Sequence, residues 1–114
     1  MDPITVLVRG AYGQMGREVV RAVTQAPDTR LVGAVDRVGV GEDAGKTAGL
    51  DALGVPIRPP EELEAVLAET QPRVAVDFTR GAEVRELFLA AIPRRVSPVV
   101  GATGIPSAVV EEAR

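Results

Sequence analysis

Hydrophobic residues in this chain follow two alternating patterns: short continuous runs, and longer segments in which they recur every three or four positions. A short apolar run bounded by turn residues is typical of a strand buried on both faces of a sheet. Such runs predict strands at Ile4–Val8, Leu31–Val35, Val55–Ile57, Arg73–Asp77 and Val96–Val100.

Helical spacing occupies most of the segments between these runs. The first helix is predicted from Gln14 until Pro27 closes it, with an apolar face of Met15, Val19, Val20, Val23 and Ala26. A second is opened by Pro59 and Pro60 and stopped by Pro72, with an inward face of Leu63, Val66, Leu67 and Thr70. A third spans Glu83–Ile92, with an inward face of Val84, Leu87, Phe88 and Ala91, and a further helix begins in Pro106–Arg114.

Strands that alternate with helices predict an α/β fold, because neighbouring parallel strands must be joined by crossovers, and these are right-handed. The glycine-rich stretch after Asp36 lacks periodicity and predicts a long loop with a short helical turn near Lys46. We therefore expect one Rossmann-like domain over residues 1–114, with a parallel sheet of about five strands and helices on both faces.

Three glycines, Gly10, Gly13 and Gly16, lie between the first strand and the first helix. Glycine there allows positive φ and lets a backbone approach a phosphate at the helix N-terminus, although a tight turn alone would also need it. Asp36 lies about twenty residues further on, at the end of the second strand, where a dinucleotide-binding fold places the acid that holds the adenine ribose. Together these features favour a phosphate-binding turn.

Four motifs in order resemble one family, the dihydrodipicolinate reductases (4-hydroxy-tetrahydrodipicolinate reductases) of bacterial lysine and diaminopimelate synthesis. GAYGQMG at 10–16 is similar to the family's G-A-x-G-R-M-G, and DR at 36–37 to its acid-arginine pair. DFT at 77–79 and GATG at 101–104 resemble its D-F-T and G-T-T-G. Each motif follows a predicted strand.

The resemblance implies that NADH or NADPH binds along the carboxyl edge of the sheet. It assigns the pyrophosphate to Gly10, Ala11, Tyr12, Gly13, Gln14 and Met15. It assigns the adenine ribose to Asp36 and Arg37, and the middle of the cofactor to Phe78 and Thr79. The nicotinamide end is assigned to Gly101, Ala102 and Thr103. Gln14 and Ala102 depart from the family's arginine and threonine, and the loss of the arginine weakens the case for strong NADPH preference.

Simpler interpretations of these residues stay open. Asp36 and Arg37 would also suit a solvated pair at the start of a loop. Phe78 could be a core aromatic residue and Thr79 the N-cap of the third helix, while GATG could be a turn without a ligand.

The residues that the family uses for catalysis have no counterparts in this sequence. The chain has no histidine and a single lysine, Lys46, so no residue matches the family's proton donor or substrate clamp. We therefore expect the nucleotide-binding domain of such a reductase, without its C-terminal substrate domain, catalytic residues or a metal site, and inactive alone. The alternatives are a stand-alone NAD(P)-binding module, or the first domain of another enzyme such as a homoserine or aspartate dehydrogenase relative.

The composition argues against several classes of binding partner. A net charge of −3 gives no basic surface for nucleic acid, and no apolar run approaches the roughly 18 residues of a membrane span. The absence of cysteine excludes disulfides and thiolate metal sites and permits a reducing compartment. We expect a cytoplasmic protein that binds a dinucleotide and either pairs with a substrate domain or self-associates to cover an apolar sheet edge.

Overall fold

Five parallel strands form one sheet in the computed structural model, which describes residues 2–79 and 82–100. They are β1 (Ile4–Arg9), β2 (Thr29–Val35), β3 (Ile57–Arg58), β4 (Val74–Asp77) and β5 (Ser97–Val100). Their spatial order is β3-β2-β1-β4-β5, with every neighbouring pair parallel. The chain winds outward in one direction from β1 to β3 and then returns to the other side of β1. Such a reversal opens a crevice at the carboxyl ends of β1 and β4.

Helices cover both faces of the sheet. They are α1 (Gln14–Gln25), α2 (Ala44–Thr47), α3 (Leu63–Thr70) and α4 (Ala82–Ala91), with short 3₁₀ turns at Pro60–Glu62 and Ile92–Arg94. Successive residues of β1 point to opposite faces. Val6 and Val8 join a core cluster with residues of α1 and α2, whereas Leu7 packs with residues of α3 and α4. The predicted parallel sheet with helices on both faces is confirmed.

Several element boundaries differ from those predicted. The third strand is confined to Ile57–Arg58, because the backbone N–H of Val55 donates to Asp43 instead of joining a ladder. The second helix begins as a 3₁₀ turn and becomes α-helical at Leu63. The short helical turn near Lys46 is confirmed as α2, and the helix predicted over 106–114 lies outside the described residues.

The apolar face predicted for α1 is wrong at its first turn. Met15 is 55% exposed, while Gly16 is buried beside the end of β1. Val20 is fully buried as predicted, and Val19 and Val23 pack against the same core cluster. The buried face of the helix therefore starts at a glycine, which a hydrophobic pattern does not register.

Asp43 organises the loop between β2 and β3. Its side chain caps α2 and accepts hydrogen bonds from the backbone N–H groups of Gly45, Lys46, Leu53, Gly54 and Val55, at 2.8–3.1 Å. Desolvation opposes ionisation of this carboxyl, but the backbone hydrogen bonds outweigh it and lower the pKa of Asp43. The Asp43 carboxylate thus joins the start of α2 to residues 53–55, near the end of the same loop.

Within the described part of the chain, no helix is both long enough and apolar enough to cross a membrane. The same residues include no group of three or more acidic side chains placed to hold a metal ion.

We expect Asp43→Ala to lower the free energy of unfolding by about 2 kcal/mol at neutral pH, because it removes a helix cap and leaves several N–H groups without an acceptor. Urea denaturation across a pH series measures this. Since folding lowers this pKa, the stabilisation is present above the ordinary value of 3.8 and is lost as the pH falls through the folded-state value. The gap between wild type and variant should therefore close in acid.

Glu42→Ala is the matched control, since this neighbouring side chain is exposed. It should leave the free energy of unfolding within about 0.5 kcal/mol of wild type. A gap that stayed constant down to the lowest pH would contradict the role given to the Asp43 charge.

Candidate dinucleotide site

Two glycines of the first turn are required by the fold. Gly10 ends β1 with φ +86°, a conformation that favours glycine. A Cβ on Gly16 would lie 1.9 Å from the carbonyl oxygen of Gly10 and 2.9 Å from Cα of Ala11, so no side chain fits there. The start of α1 can approach the end of β1 only because residue 16 is glycine.

Gly13 differs from these two. Its φ is −69° and its ψ 167°, which any residue adopts, and a Cβ there would meet only the Gly10 carbonyl oxygen at 3.5 Å. The residue is exposed, so neither strain nor crowding explains a glycine at this position.

The N-terminus of α1 is open. Gly13 is its N-cap and provides no side-chain hydrogen bond, and the first turn carries no acidic residue. An uncapped helix N-terminus combines free N–H groups with the positive end of the helix dipole, and therefore suits an anion such as a pyrophosphate. Gln14 and Met15 are both exposed in this first turn.

Asp36 is joined directly to the glycine turn. Its Oδ2 accepts a hydrogen bond from the backbone N–H of Tyr12 at 2.9 Å, and its Oδ1 one from Val38 at 3.2 Å. The structure thus brings together two motifs that lie 24 residues apart in the chain. A carboxylate has about four acceptor sites, so these two bonds leave capacity for ribose hydroxyls.

Tyr12 holds the loop after β2 against the turn. Gly39 has φ +74°, and a Cβ there would lie 2.2 Å from Cδ2 of the Tyr12 ring. On the same ring, the Arg17 guanidinium lies 5.9 Å from the centroid, within cation–π range. Sequence reasoning missed Gly39 and Arg17, and only the glycine-rich composition of the loop hinted at the first.

The segment after β4 approaches the turn from the other side. The backbone N–H of Phe78 donates to the Arg9 carbonyl oxygen at 3.1 Å, and a Cβ on Gly10 would lie 3.4 Å from that of Phe78. Phe78 also packs against the core cluster shared by α1 and α2, so it is partly the core aromatic residue of the simpler interpretation.

Thr79 is hydrogen-bonded to Asp77, two residues earlier in the same segment. Its backbone N–H donates to Oδ1 of Asp77 at 2.7 Å, and its hydroxyl donates to the same oxygen. α4 is described from Ala82 onward, and residues 80–81 lie outside the described residues, so Thr79 as the N-cap of this helix stays a prediction. Gly101, Ala102 and Thr103 lie outside the described residues.

A cavity of about 220 Å³ lies among these loops at the carboxyl edge of the sheet. It is lined by Arg9, Gly10, Val35, Asp36, Arg37, Pro60 and Thr79. Arg9 and Pro60 were not predicted as site residues, since neither belongs to one of the four sequence motifs. The open helix N-terminus, the acid at the end of β2 and this cavity lie at the same edge of the sheet, and their chemistry suits a dinucleotide.

A family model described as "Dihydrodipicolinate reductase, N-terminus" matches residues 4–114. The chain belongs to this family. Dihydrodipicolinate reductases bind NAD(P)H, and this chain corresponds to their N-terminal nucleotide-binding domain. Family membership sets aside the alternative of a homoserine or aspartate dehydrogenase relative.

Curated relatives agree with the family assignment. The chain is 52% identical over 112 residues to the 4-hydroxy-tetrahydrodipicolinate reductase of Thermosynechococcus vestitus, and 44% identical over 111 residues to that of Gloeobacter violaceus. Each match covers 96% of this chain but 41% of the relative. The chain therefore spans about two fifths of the length of these reductases.

A solved structure shows the same relationship. It is a dipicolinate-bound dihydrodipicolinate reductase from Paenisporosarcina sp. TG-14, with a TM-score of 0.77 and 27% identity. The match covers 97% of this chain and 42% of that one.

The glycine turn provides a test of what the fold requires. Gly16→Ala should destabilise the domain by about 1–3 kcal/mol, since the added methyl group overlaps the Gly10 carbonyl and the helix must shift. Urea denaturation compares it with Gly13→Ala, the matched control. Because the position of Gly13 is uncrowded, that change should cost only the preference of an N-cap for glycine over alanine, less than about 1 kcal/mol. Equal losses from the two substitutions would contradict the distinction.

Proposed function

We propose that this chain holds NADH or NADPH for a reductase that acts on the cyclic dicarboxylate made from pyruvate and aspartate semialdehyde. The observation that carries the proposal is the 2.9 Å hydrogen bond from the Tyr12 N–H to Asp36. It fixes an acid with spare acceptor capacity beside the uncapped N-terminus of α1. When bound, the cofactor supplies a hydride, and the residues of this chain bind and orient it.

The turn between β1 and α1 would hold the pyrophosphate. The backbone of Gly10, Ala11 and Tyr12 leads into the uncapped first turn at Gly13, Gln14 and Met15. The openness of Gly13 supports this assignment: the fold does not need glycine there, whereas a ligand in contact with the backbone would.

Asp36 and Arg37 would determine which nucleotide binds. The carboxylate suits the two ribose hydroxyls of NADH, whereas the 2′-phosphate of NADPH would be repelled by it and attracted by the adjacent guanidinium. Arg37 is exposed and lines the cavity beside Asp36. With Gln14 carrying no charge, we expect NADH to bind at least as tightly as NADPH.

Phe78 and Thr79 would lie under the middle of the cofactor, as their contacts around Gly10 and Asp77 support. Gly101, Ala102 and Thr103 are assigned to the nicotinamide end on the motif alone. Hydride transfer also needs the acceptor held close to the cofactor and a proton supplied to the product. Without a histidine in its sequence, this chain leaves those tasks to a substrate domain.

A stand-alone NAD(P)-binding module is the second candidate, because the nucleotide-binding motifs of this chain occur without a histidine that could supply the proton. Reductase assays of the chain alone, and mixed with the remaining part of a relative, distinguish the two. We expect activity only in the mixture. Activity of the chain alone would refute the claim that its residues lack the catalytic groups, and inactivity of both would favour the module.

Parallel titrations with NADH and NADPH test the nucleotide assignment. The chain contains no tryptophan, so the cofactor's own fluorescence can be followed against a low protein background. Asp36→Ala should weaken NADH binding by roughly ten- to a hundredfold, the cost of losing hydrogen bonds to a charged acceptor, and should weaken NADPH binding less.

Gln14→Ala is the control within the same turn, and we expect it to leave NADH binding within about twofold of wild type, because its exposed side chain makes no ionic contact. Thermal unfolding of both variants separates loss of ligand from loss of fold. Wild-type protein that bound neither nucleotide would overturn the proposal.

A further inference from the structure

Arg9 is a charged residue in a place where charge is costly. It is the last residue of the central strand β1, directly before Gly10, and its side chain is only 2% exposed. Arginine is almost never buried to this degree unless it is paired. Because this position is buried and follows the apolar run of β1, an aliphatic residue would also pack there.

Two carboxylates on different elements face this guanidinium. Nη1 lies 3.6 Å from Oδ2 of Asp77, which ends β4 and is fully buried. Nη2 donates to Oε1 of Glu86 in α4 at 3.2 Å, and the Glu86 side chain is 57% exposed. Arg9 thus connects β1, β4 and α4 at the point where the strand order reverses.

The same residue also holds the segment after β4. Its carbonyl oxygen accepts the Phe78 N–H at 3.1 Å, and Asp77, which it faces, accepts both the N–H and the hydroxyl of Thr79. Arg9 and Thr79 line the cavity together with Gly10 and Asp36. The position of the cavity wall therefore depends on this cluster of Arg9, Asp77 and Glu86.

Stability does not account for the cluster. Replacing a buried ion pair by apolar side chains of similar volume is often neutral or stabilising, because desolvation cancels most of the attraction between the charges. The cluster combines one directional hydrogen bond, to Glu86, with an ion pair to Asp77, and the two contacts hold three elements at set distances. The cluster lies at the carboxyl edge of the sheet, where the relative position of these elements affects how a ligand is bound.

We infer that Arg9 is a positioning residue for the dinucleotide: through Asp77 and Glu86 it fixes the segment after β4, and so the place of Thr79 in the cavity wall beside Gly10. The inference rests on the proposed function, since it concerns the affinity of the same site. It gives a role to a residue outside all four sequence motifs.

NADH titration of Arg9→Met, Arg9→Lys and Glu86→Gln tests this. Arg9→Met should weaken binding about tenfold, and Arg9→Lys should recover part of that loss, because a lysine keeps the charge but not the two-pronged geometry. Glu86→Gln, at a half-exposed side chain, should weaken binding about threefold.

Arg58→Met is the matched control. Arg58 also faces two carboxylates, Glu62 at 2.7 Å and Glu69 at 2.6 Å, but does not line the cavity. Thermal unfolding is recorded for every variant, and the control should keep wild-type affinity whatever its stability. An equal loss of affinity in Arg58→Met would overturn the inference.

Wild-type affinity in Arg9→Met would also overturn it and leave the proposed function intact. Failure of the wild-type chain to bind NADH would instead refute the proposed function. If Arg9→Met does not fold, Arg9→Lys and Glu86→Gln decide the question: wild-type affinity in both refutes the inference, and weakened binding in folded Glu86→Gln supports it.

Discussion

The close approach of α1 to the end of β1 is the constraint on which the carboxyl edge depends. Any Cβ on Gly16 would overlap the Gly10 carbonyl oxygen, so the helix can begin this near the strand only without one. The approach leaves a short turn whose backbone N–H at Tyr12 reaches Asp36 across the top of the sheet. It also places the open N-terminus of α1 beside the crevice at the strand reversal.

Two aspartates in the loop between β2 and β3 show that one residue type can take two different roles. Asp43 accepts five backbone N–H groups, which saturates the roughly four acceptor sites of a carboxylate and makes it a structural tie. From the residues that the structure describes, Asp36 accepts two, about half of the acceptor sites of a carboxylate. The difference lies in how many backbone N–H groups of the surrounding loop point toward each carboxylate, and it leaves Asp36 able to accept further hydrogen bonds.

The sequence predicted the α/β class, the parallel sheet and most helices, because apolar runs and helical spacing report directly on burial. It also predicted that Gly10 and Asp36 share an edge, since parallel strands bring their carboxyl ends together. It failed where burial has no hydrophobic signature: the inward turn of Gly16 in place of Met15, the shortened β3, and the buried charge of Arg9. Contacts such as Tyr12 on Gly39 depend on tertiary placement that no local pattern encodes.

The opposing explanations of the glycine turn, a tight corner or a phosphate-binding loop, apply to different residues. Positive φ explains Gly10 and crowding explains Gly16, so neither residue is evidence for a ligand. Gly13 is neither strained nor crowded, and a residue with a capping side chain, such as serine, would serve the fold at least as well there. The case for a bound dinucleotide therefore depends on what the fold leaves unexplained: the bare N-cap at Gly13, which suits an anion, and the remaining acceptor capacity of Asp36, which suits hydroxyl groups.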